Sequence, residues 1–408
     1  TTGVALTSGE DYFVSVRATD GAGNVSNIST SNGITIDAVD PVVSDVVEGD
    51  LNTDQDYQQS GSSLVIAWGG SDDLRTFRNT RELSNYEVSL GTASGNNDVV
   101  DWVDAGNVNN YEFTGIELQE SSTYFASVKA LDQAGNESVV VTGDGITIDQ
   151  SGPVTGSLSD GDSDTADVDW VNINYLAKGR WNGFYDELSG ISEYEYSLGL
   201  SPGQTQVVSW TSAGTDTNIT VSAALTEGPT YYANLRAIDS VSNVGNVVSS
   251  DGFGLDVSAP GTGSVTDGLL GDDITWTNNN ISISSTWQGF SDQYSGIDYY
   301  EYSVGTSSGE QDAVEWTPTE SLSDQMNVQV ELEHGVTYYT NIRATDMVDN
   351  VSQVASSNGF TVDTLSPVID YLYEASESNP LYQGSDNTVE LYWSGTDDLS
   401  GLARYDVA

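Results

Sequence analysis

Polar and hydrophobic residues alternate in short runs along nearly the whole chain, and the same runs return in the same order. The most constant run opens on tyrosine: YFVSVRATDGAGN from Tyr12, YFASVKALDQAGN from Tyr124, YYANLRAIDSVSN from Tyr231 and YYTNIRATDMVDN from Tyr338. Each copy places a base five residues after the leading Tyr, an Asp at plus eight and an Asn at plus twelve. Successive copies start 112, 107 and 107 residues apart, which defines a tandem array. Alternation with a period of two is a strand pattern. It predicts Tyr231, Ala233, Leu235 and Ala237 on a core face and Tyr232, Asn234 and Arg236 on the other.

A second run ends in Trp: LVIAW at Trp68, LAKGRW at Trp181, ISISSTW at Trp287 and VELYW at Trp393. An acid follows each of these at plus five, namely Asp73, Asp186, Asp292 and Asp398. Ser-Gly turns then lead into YEYS-type strands, followed by strands around Trp102, Trp210 and Trp316. About seven strands in each period of about 107 residues predict a two-sheet sandwich. An Asp, three residues and a Pro recur at Asp37–Pro41, Asp149–Pro153, Asp256–Pro260 and Asp363–Pro367. Proline cannot sit inside a ladder, so these are the expected boundaries. The complete units are then 41–152, 153–259 and 260–366, with the end of a repeat at 1–40 and the front of another at 367–408. The chain thus reads as a window from a longer covalent chain, an expectation preferred to strand exchange between copies.

Composition narrows the partners. Sixty-two acids against ten bases give a formal charge of −52, which disfavours nucleic acid and anionic membrane surfaces and attracts divalent cations. The absence of Cys removes disulfides and thiolate sites, and a single histidine, His334, argues against zinc. No apolar run is long enough to span a membrane. Arg75, Arg78 and Arg81 share one long loop in unit 41–152, read as surface decoration in preference to a specific contact.

The Leu-to-Tyr spacing of six at Leu6/Tyr12, Leu118/Tyr124, Leu225/Tyr231 and Leu332/Tyr338 resembles the E–F corner of fibronectin type III domains. The Trp-ending strand fits the same family. The turn Asp20–Asn24, repeated at Asp132–Asn136, is similar to that of bacterial Ig-like surface repeats. At Asp239 and Asp346 the turn lacks its glycine, so its geometry is open to change there. The resemblance implies an all-β chain of tandem seven-stranded fibronectin III/Ig-like β-sandwiches forming an elongated rod. It also implies that the linker acid, the acid after Trp and the Asp–Asn turn meet at one pole. Placing the YEYS strand beside the Tyr strand predicts cross-strand pairs Lys129–Glu87, Arg236–Glu195 and Arg343–Glu301.

Those poles are the candidate metal sites, with Ca²⁺ as the expected ion because the donors are hard oxygens. They group Asp37, Asp73, Asp132 and Asn136; then Asp149, Asp186, Asp239 and Asn243; then Asp256, Asp292, Asp346 and Asn350. The competing reading is local: Asp and Asn at turns bond to nearby backbone N–H groups. Catalysis is not expected, because the acids recur in every unit and no unit concentrates a unique His, Ser and Asp set. Stacking of glycans on Trp102, Trp210 and Trp316 is open, although a Trp recurring in every repeat is more often a packing residue. Asn-x-Ser sequons at Asn136 and Asn350 fall in the turn and are explained by it.

The expected role is mechanical: a stalk or filament segment of a large extracellular bacterial surface protein, serving adhesion or surface motility. Its partners would be neighbouring repeats, other copies in a filament, and surface glycans or cell-surface proteins. The alternatives are a glycan-binding adhesive array and a non-catalytic stalk of a secreted enzyme.

Overall fold

A computed structural model describes residues 3–50, 52–71, 83–161, 167–269, 273–319, 322–374 and 387–408. Asp73 and the arginines 75, 78 and 81 lie outside the described residues.

Residues 153–259 set the pattern for the array. Their strands are β1 (Ser157–Asp160), β2 (Trp170–Val171), β3 (Leu176–Asn182), β4 (Ile191–Gly199), β5 (Val208–Gly214), β6 (Asn218–Ser222), β7 (Thr230–Asp239), β8 (Val248–Ser249) and β9 (Phe253–Leu255). One sheet has the order β1-β3-β6. The other runs β2-β9-β7-β4-β5, with β8 also on β7 and β2 parallel to β9. Seven strands therefore become nine segments. The opening strand leaves one sheet after Asp160 and joins the other at Trp170, while the closing strand is broken between Ser249 and Phe253. Units 41–152 and 260–366 repeat both sheets; at 41–152 the opening strand Val42–Asp50 also pairs with Thr53–Asp54.

The core is what alternation along β7 and its copies predicts. Tyr231, Ala233, Leu235 and Ala237 are buried against Trp181, Tyr196 and Leu198. The strand Trp packs against a tyrosine ring in each unit: Trp68 edge-on to Tyr86 at 5.3 Å, Trp181 tilted to Tyr194 at 5.5 Å and Trp287 edge-on to Tyr300 at 5.7 Å between ring centres. Aromatic pairs at such spacings add to burial. The corner closes as the Leu/Tyr spacing implies. The hydroxyl of Tyr231 accepts the Thr226 N–H at 2.8 Å, and Tyr12, Tyr124 and Tyr338 accept the N–H of Thr7, Gln119 and Glu333 at 2.9, 2.9 and 3.0 Å. Strand order and this tyrosine corner make the units fibronectin III/Ig-like sandwiches.

The opposite face of β7 departs from a simple polar surface. Asn234 is fully buried there, as is Asn341 on the matching strand Thr337–Asp346 of the next unit. The hairpin after β4 folds over Asn234: the Gly203 N–H donates to its Oδ1 at 2.6 Å, and its amide donates to the Gln204 carbonyl at 2.8 Å. Alternation reports which face a side chain takes, not what a neighbouring loop lays over it.

Candidate metal centres

Two acidic groups recur, and the first lies where one unit meets the next. The Asp239 Oδ1 accepts the N–H groups of Val241 and Asn243 at 2.9 and 2.8 Å, and Oδ2 accepts the Asn243 amide at 2.7 Å. That amide also donates to the Asp149 carbonyl at 2.9 Å, tying the turn to the preceding linker. The Asp149 Oδ2 accepts the Ser189 N–H at 3.2 Å, while the Asp186 Oδ1 accepts those of Leu188 and Gly190 at 3.1 and 2.9 Å. One carboxylate oxygen from each of Asp149, Asp186 and Asp239 lies within 4.8 Å of the others. Asp256, Asp292 and Asp346 repeat the arrangement within the same limit, with Asn350 donating to the Asp256 carbonyl at 3.2 Å. At the first junction Asp132 holds its turn through Gly135 and Asn136, and the Asn136 amide reaches the Asp37 carbonyl at 3.5 Å.

Two details correct the sequence reading. The turn after β7 keeps its main bond where glycine is missing, and only the second N–H accepted moves, from i+3 at Asp132 to i+2 at Asp239 and Asp346. Asp239 and Asp346 accept the same i+4 backbone N–H as Asp132 does. Ser242 and Asp349 simply take up φ of 72° and 68° where Gly135 has 94°. The acid that plays the part of Asp186 after Trp393 is Asp397, not Asp398. Its Oδ2 accepts the N–H groups of Leu399 and Gly401 at 3.4 and 2.7 Å, because this loop is one residue shorter. Asp398 faces His334 Nε2 at 3.2 Å instead, and His334 Nδ1 accepts the Thr364 N–H. Asp363 is held below the usual carboxylate range, chiefly by the Ser400 hydroxyl.

The second group lies inside the first two complete units, at the two breaks described above, and sequence reasoning missed it. It comprises Glu48, Asp54 and Asp144 in the first complete unit and Asp160, Asp167 and Asp251 in the second, each set within 4.8 Å. Asp160 ends β1 and is 2% exposed, yet neither of its carboxylate oxygens has a hydrogen bond of acceptable geometry. Burial pushes its carboxyl up to about 7, against a lowering pull from the nearby Ser250 hydroxyl. Burial likewise pushes Glu48 up to about 7 and Asp267, the counterpart in the third unit, up to about 6. The Tyr196 hydroxyl is buried without a partner and is raised first by burial, then by the charge of Asp160.

The three predicted cross-strand pairs form: Lys129–Glu87 at 2.8 Å, Arg236–Glu195 at 2.6 Å and Arg343–Glu301 at 2.6 Å. The same bases cover the edge-strand indoles, Lys129 lying 5.2 Å from the Trp102 ring centre, Arg236 4.5 Å from Trp210 and Arg343 4.4 Å from Trp316. Glutamate, base and indole thus stack in one column, and one face of each Trp is taken.

No family model matches the chain. It is 27% identical over 359 residues to Exoglucanase B of Cellulomonas fimi, covering 84% of this chain and 28% of that protein. Among solved structures it is similar to the FN1-FN3 domains of chicken CNTN1 (12% identity, 79% of this chain and 97% of that one, TM-score 0.29). It is also similar to the fibronectin(III)-like modules of Clostridium thermocellum CbhA (15% identity, 51% of this chain and 94% of that one, TM-score 0.29).

Proposed function

We propose that the chain is a non-catalytic stalk segment of a large extracellular protein, whose work is to hold other parts at a set distance. The observation that supports this reading most is the repeated clasp. The linker carboxylates of Asp149, Asp256 and Asp363 each accept the N–H of the serine in the next unit's Ser-Gly loop, at 3.2, 3.0 and 3.1 Å. An identical bond at successive joints serves relative orientation, which a spacer needs and a catalyst does not. Such an array gains stability from each repeat and from each neighbour contact.

Similarity to part of an exoglucanase favours the stalk of a secreted enzyme over a giant adhesin or motility filament. Display of adhesive sites remains the second role compatible with the same architecture. A glycan-binding array is the weaker reading, because Lys129, Arg236 and Arg343 each already cover one face of the edge-strand indoles that sugar rings would stack on. Calcium at the junction carboxylates would belong to the spacer role, stiffening each joint by neutralising three acids at once.

Small-angle scattering of the chain, in millimolar calcium and after chelation, tests the proposal. An elongated particle whose length follows the number of units supports a spacer, and a compact globule overturns it. Retention on immobilised cellulose or other polysaccharide would move the reading to the glycan-binding alternative.

A further inference from the structure

We infer that the inward acidic groups of the first two complete units are binding sites for a hard divalent cation such as Ca²⁺, separate from the junctions. Glu48, Asp54 and Asp144 hold one, and Asp160, Asp167 and Asp251 the other. The starting point is unpartnered charge. Both oxygens of Asp160 and Oε2 of Glu48 are buried with no hydrogen bond of good geometry; the Ser250 hydroxyl and Gly252 N–H only pull weakly on Asp160, and Glu48 Oε1 accepts the Ala126 N–H at 3.3 Å. Folded proteins seldom leave a buried polar atom so, and the cost of an ionised one is several kcal/mol at least. The charges that act on Asp160 from within its group, Asp167 and Asp251, are themselves acids and cannot neutralise it. Oxygens bound to one Ca²⁺ at about 2.4 Å lie at most about 4.8 Å apart, which is the limit within which each triad falls.

The backbone is built around this place. Asp160 ends β1, Asp167 lies on the crossover to β2, and Asp251 sits in the gap between β8 and β9. Asp167 Oδ1 accepts the Asp160 N–H at 3.2 Å, and Asp54 does the same for Glu48 at 3.2 Å, so the second carboxylate is fixed beside the first. Gly252, at φ 102°, turns the chain directly after Asp251, as Gly145 does after Asp144. An ion here would pin both broken strands to each other. A cleft of about 270 Å³ lies beside Asp160, with Trp170, Lys178 and Phe253 also in its wall.

Comparison across units sharpens the assignment. The first unit has Glu48 where the second has Asp160, and Gly143 where the second has Ser250. A Cβ on Gly143 would come within 2.6 Å of both Glu48 oxygens, so the longer acid and the missing side chain compensate each other. The third unit keeps Asp267 and Asp273 but has Asn358 in place of the third acid. The Asn358 amide donates to Asp273 Oδ2 at 2.9 Å, supplying internally the positive end that an ion would bring. That unit is assigned no such site.

The test uses the full chain stripped of metal and titrated with CaCl₂ by calorimetry, with Tb³⁺ emission sensitised by Trp170 as a second readout. In the double variant Asp144→Asn and Asp251→Asn the fold is safe, since the third unit already carries Asn there. The variant is expected to lose two binding equivalents, or to bind them at least tenfold more weakly. Asn358→Asp is expected to add one equivalent. Asp186→Asn at a junction is expected to leave the two intra-unit equivalents intact, so failure of the junction sites and failure of these are told apart. Unchanged stoichiometry and affinity in the double variant would overturn the assignment. So would a wild-type chain that takes up no Ca²⁺ at millimolar concentration, or only equivalents that Asp186→Asn removes.

Discussion

Asp239 and Asp160 belong to the same unit, are both almost wholly buried, and each stands in a triad of carboxylates within 4.8 Å. They nevertheless sit in opposite circumstances. Asp239 accepts two backbone N–H groups and a side-chain amide, so its charge is paid for locally. Asp160 accepts nothing of good geometry. The difference teaches that crowding of acids is not what marks a demand for a cation; the marker is a buried carboxylate left without donors. The junction triads are held as turns whether or not an ion joins them, whereas the inward triads leave a buried carboxylate that must either hold a proton or take a cation.

Isosteric and truncating variants break this comparison most sharply. Asp239→Ala removes three hydrogen bonds to a charged group and is expected to destabilise its unit by about 3 kcal/mol, with or without calcium. Asp160→Asn should change sign with conditions. It removes an unpartnered buried charge and so stabilises the metal-free chain, but it removes a ligand and so destabilises the chain in calcium. Thermal unfolding of both variants in chelator and in millimolar calcium measures all four shifts. A loss of stability on Asp160→Asn in chelator as large as that in calcium would mean that the two aspartates are alike after all.

Sequence spacing made the first of these sites legible and hid the second, for a physical reason. The junction acids stand at fixed offsets from a Trp or a Tyr because turns and linkers have fixed length. Among the described residues the offset that failed, Asp397 against Asp398, failed where the loop lost one residue. The inward acids are scattered over three distant segments, with Glu in one unit, Asp in two, and Asn at the third position of the last. In sequence Asp160 is one more acid near the end of an ordinary strand. The available signals were an acid ending the opening strand and an Asp-Gly or Asn-Gly at 144–145, 251–252 and 358–359. The fold itself was readable from alternation and the tyrosine corner. The breaks in the first and last strands were not, since a sheet switch leaves the hydrophobic period intact.

The third unit gives a smaller effect that separates burial from metal binding. Asp267 has a folded pKa of about 6, raised by burial from an ordinary 3.8. Between those values the folded state holds a proton that the unfolded state has released. Its contribution to stability is therefore fully present below about pH 4 and is lost as pH rises through about 6. Wild type minus Asp267→Asn should fall by at most about 3 kcal/mol over that window, read from urea unfolding at a series of pH values in chelator. A flat difference would show that the Asp267 carboxylate is well solvated or well partnered, and would weaken the contrast between the two kinds of acid.

The smallest effect tests whether the junction turn is self-sufficient. Ser242 and Asp349 occupy the left-handed region that Gly135 occupies at no steric cost in the first unit. A side chain there costs roughly 1 kcal/mol, partly offset because glycine loses more freedom on folding. Ser242→Gly should therefore raise stability by about 0.5–1 kcal/mol. Since the turn is held by the Asp239 carboxylate and its N–H donors, the gain should be equal in calcium and in chelator. A gain that appears only when calcium is present would mean that the ion, rather than the backbone, sets the shape of this turn. The local account of Asp239 would then give way to the one argued for Asp160.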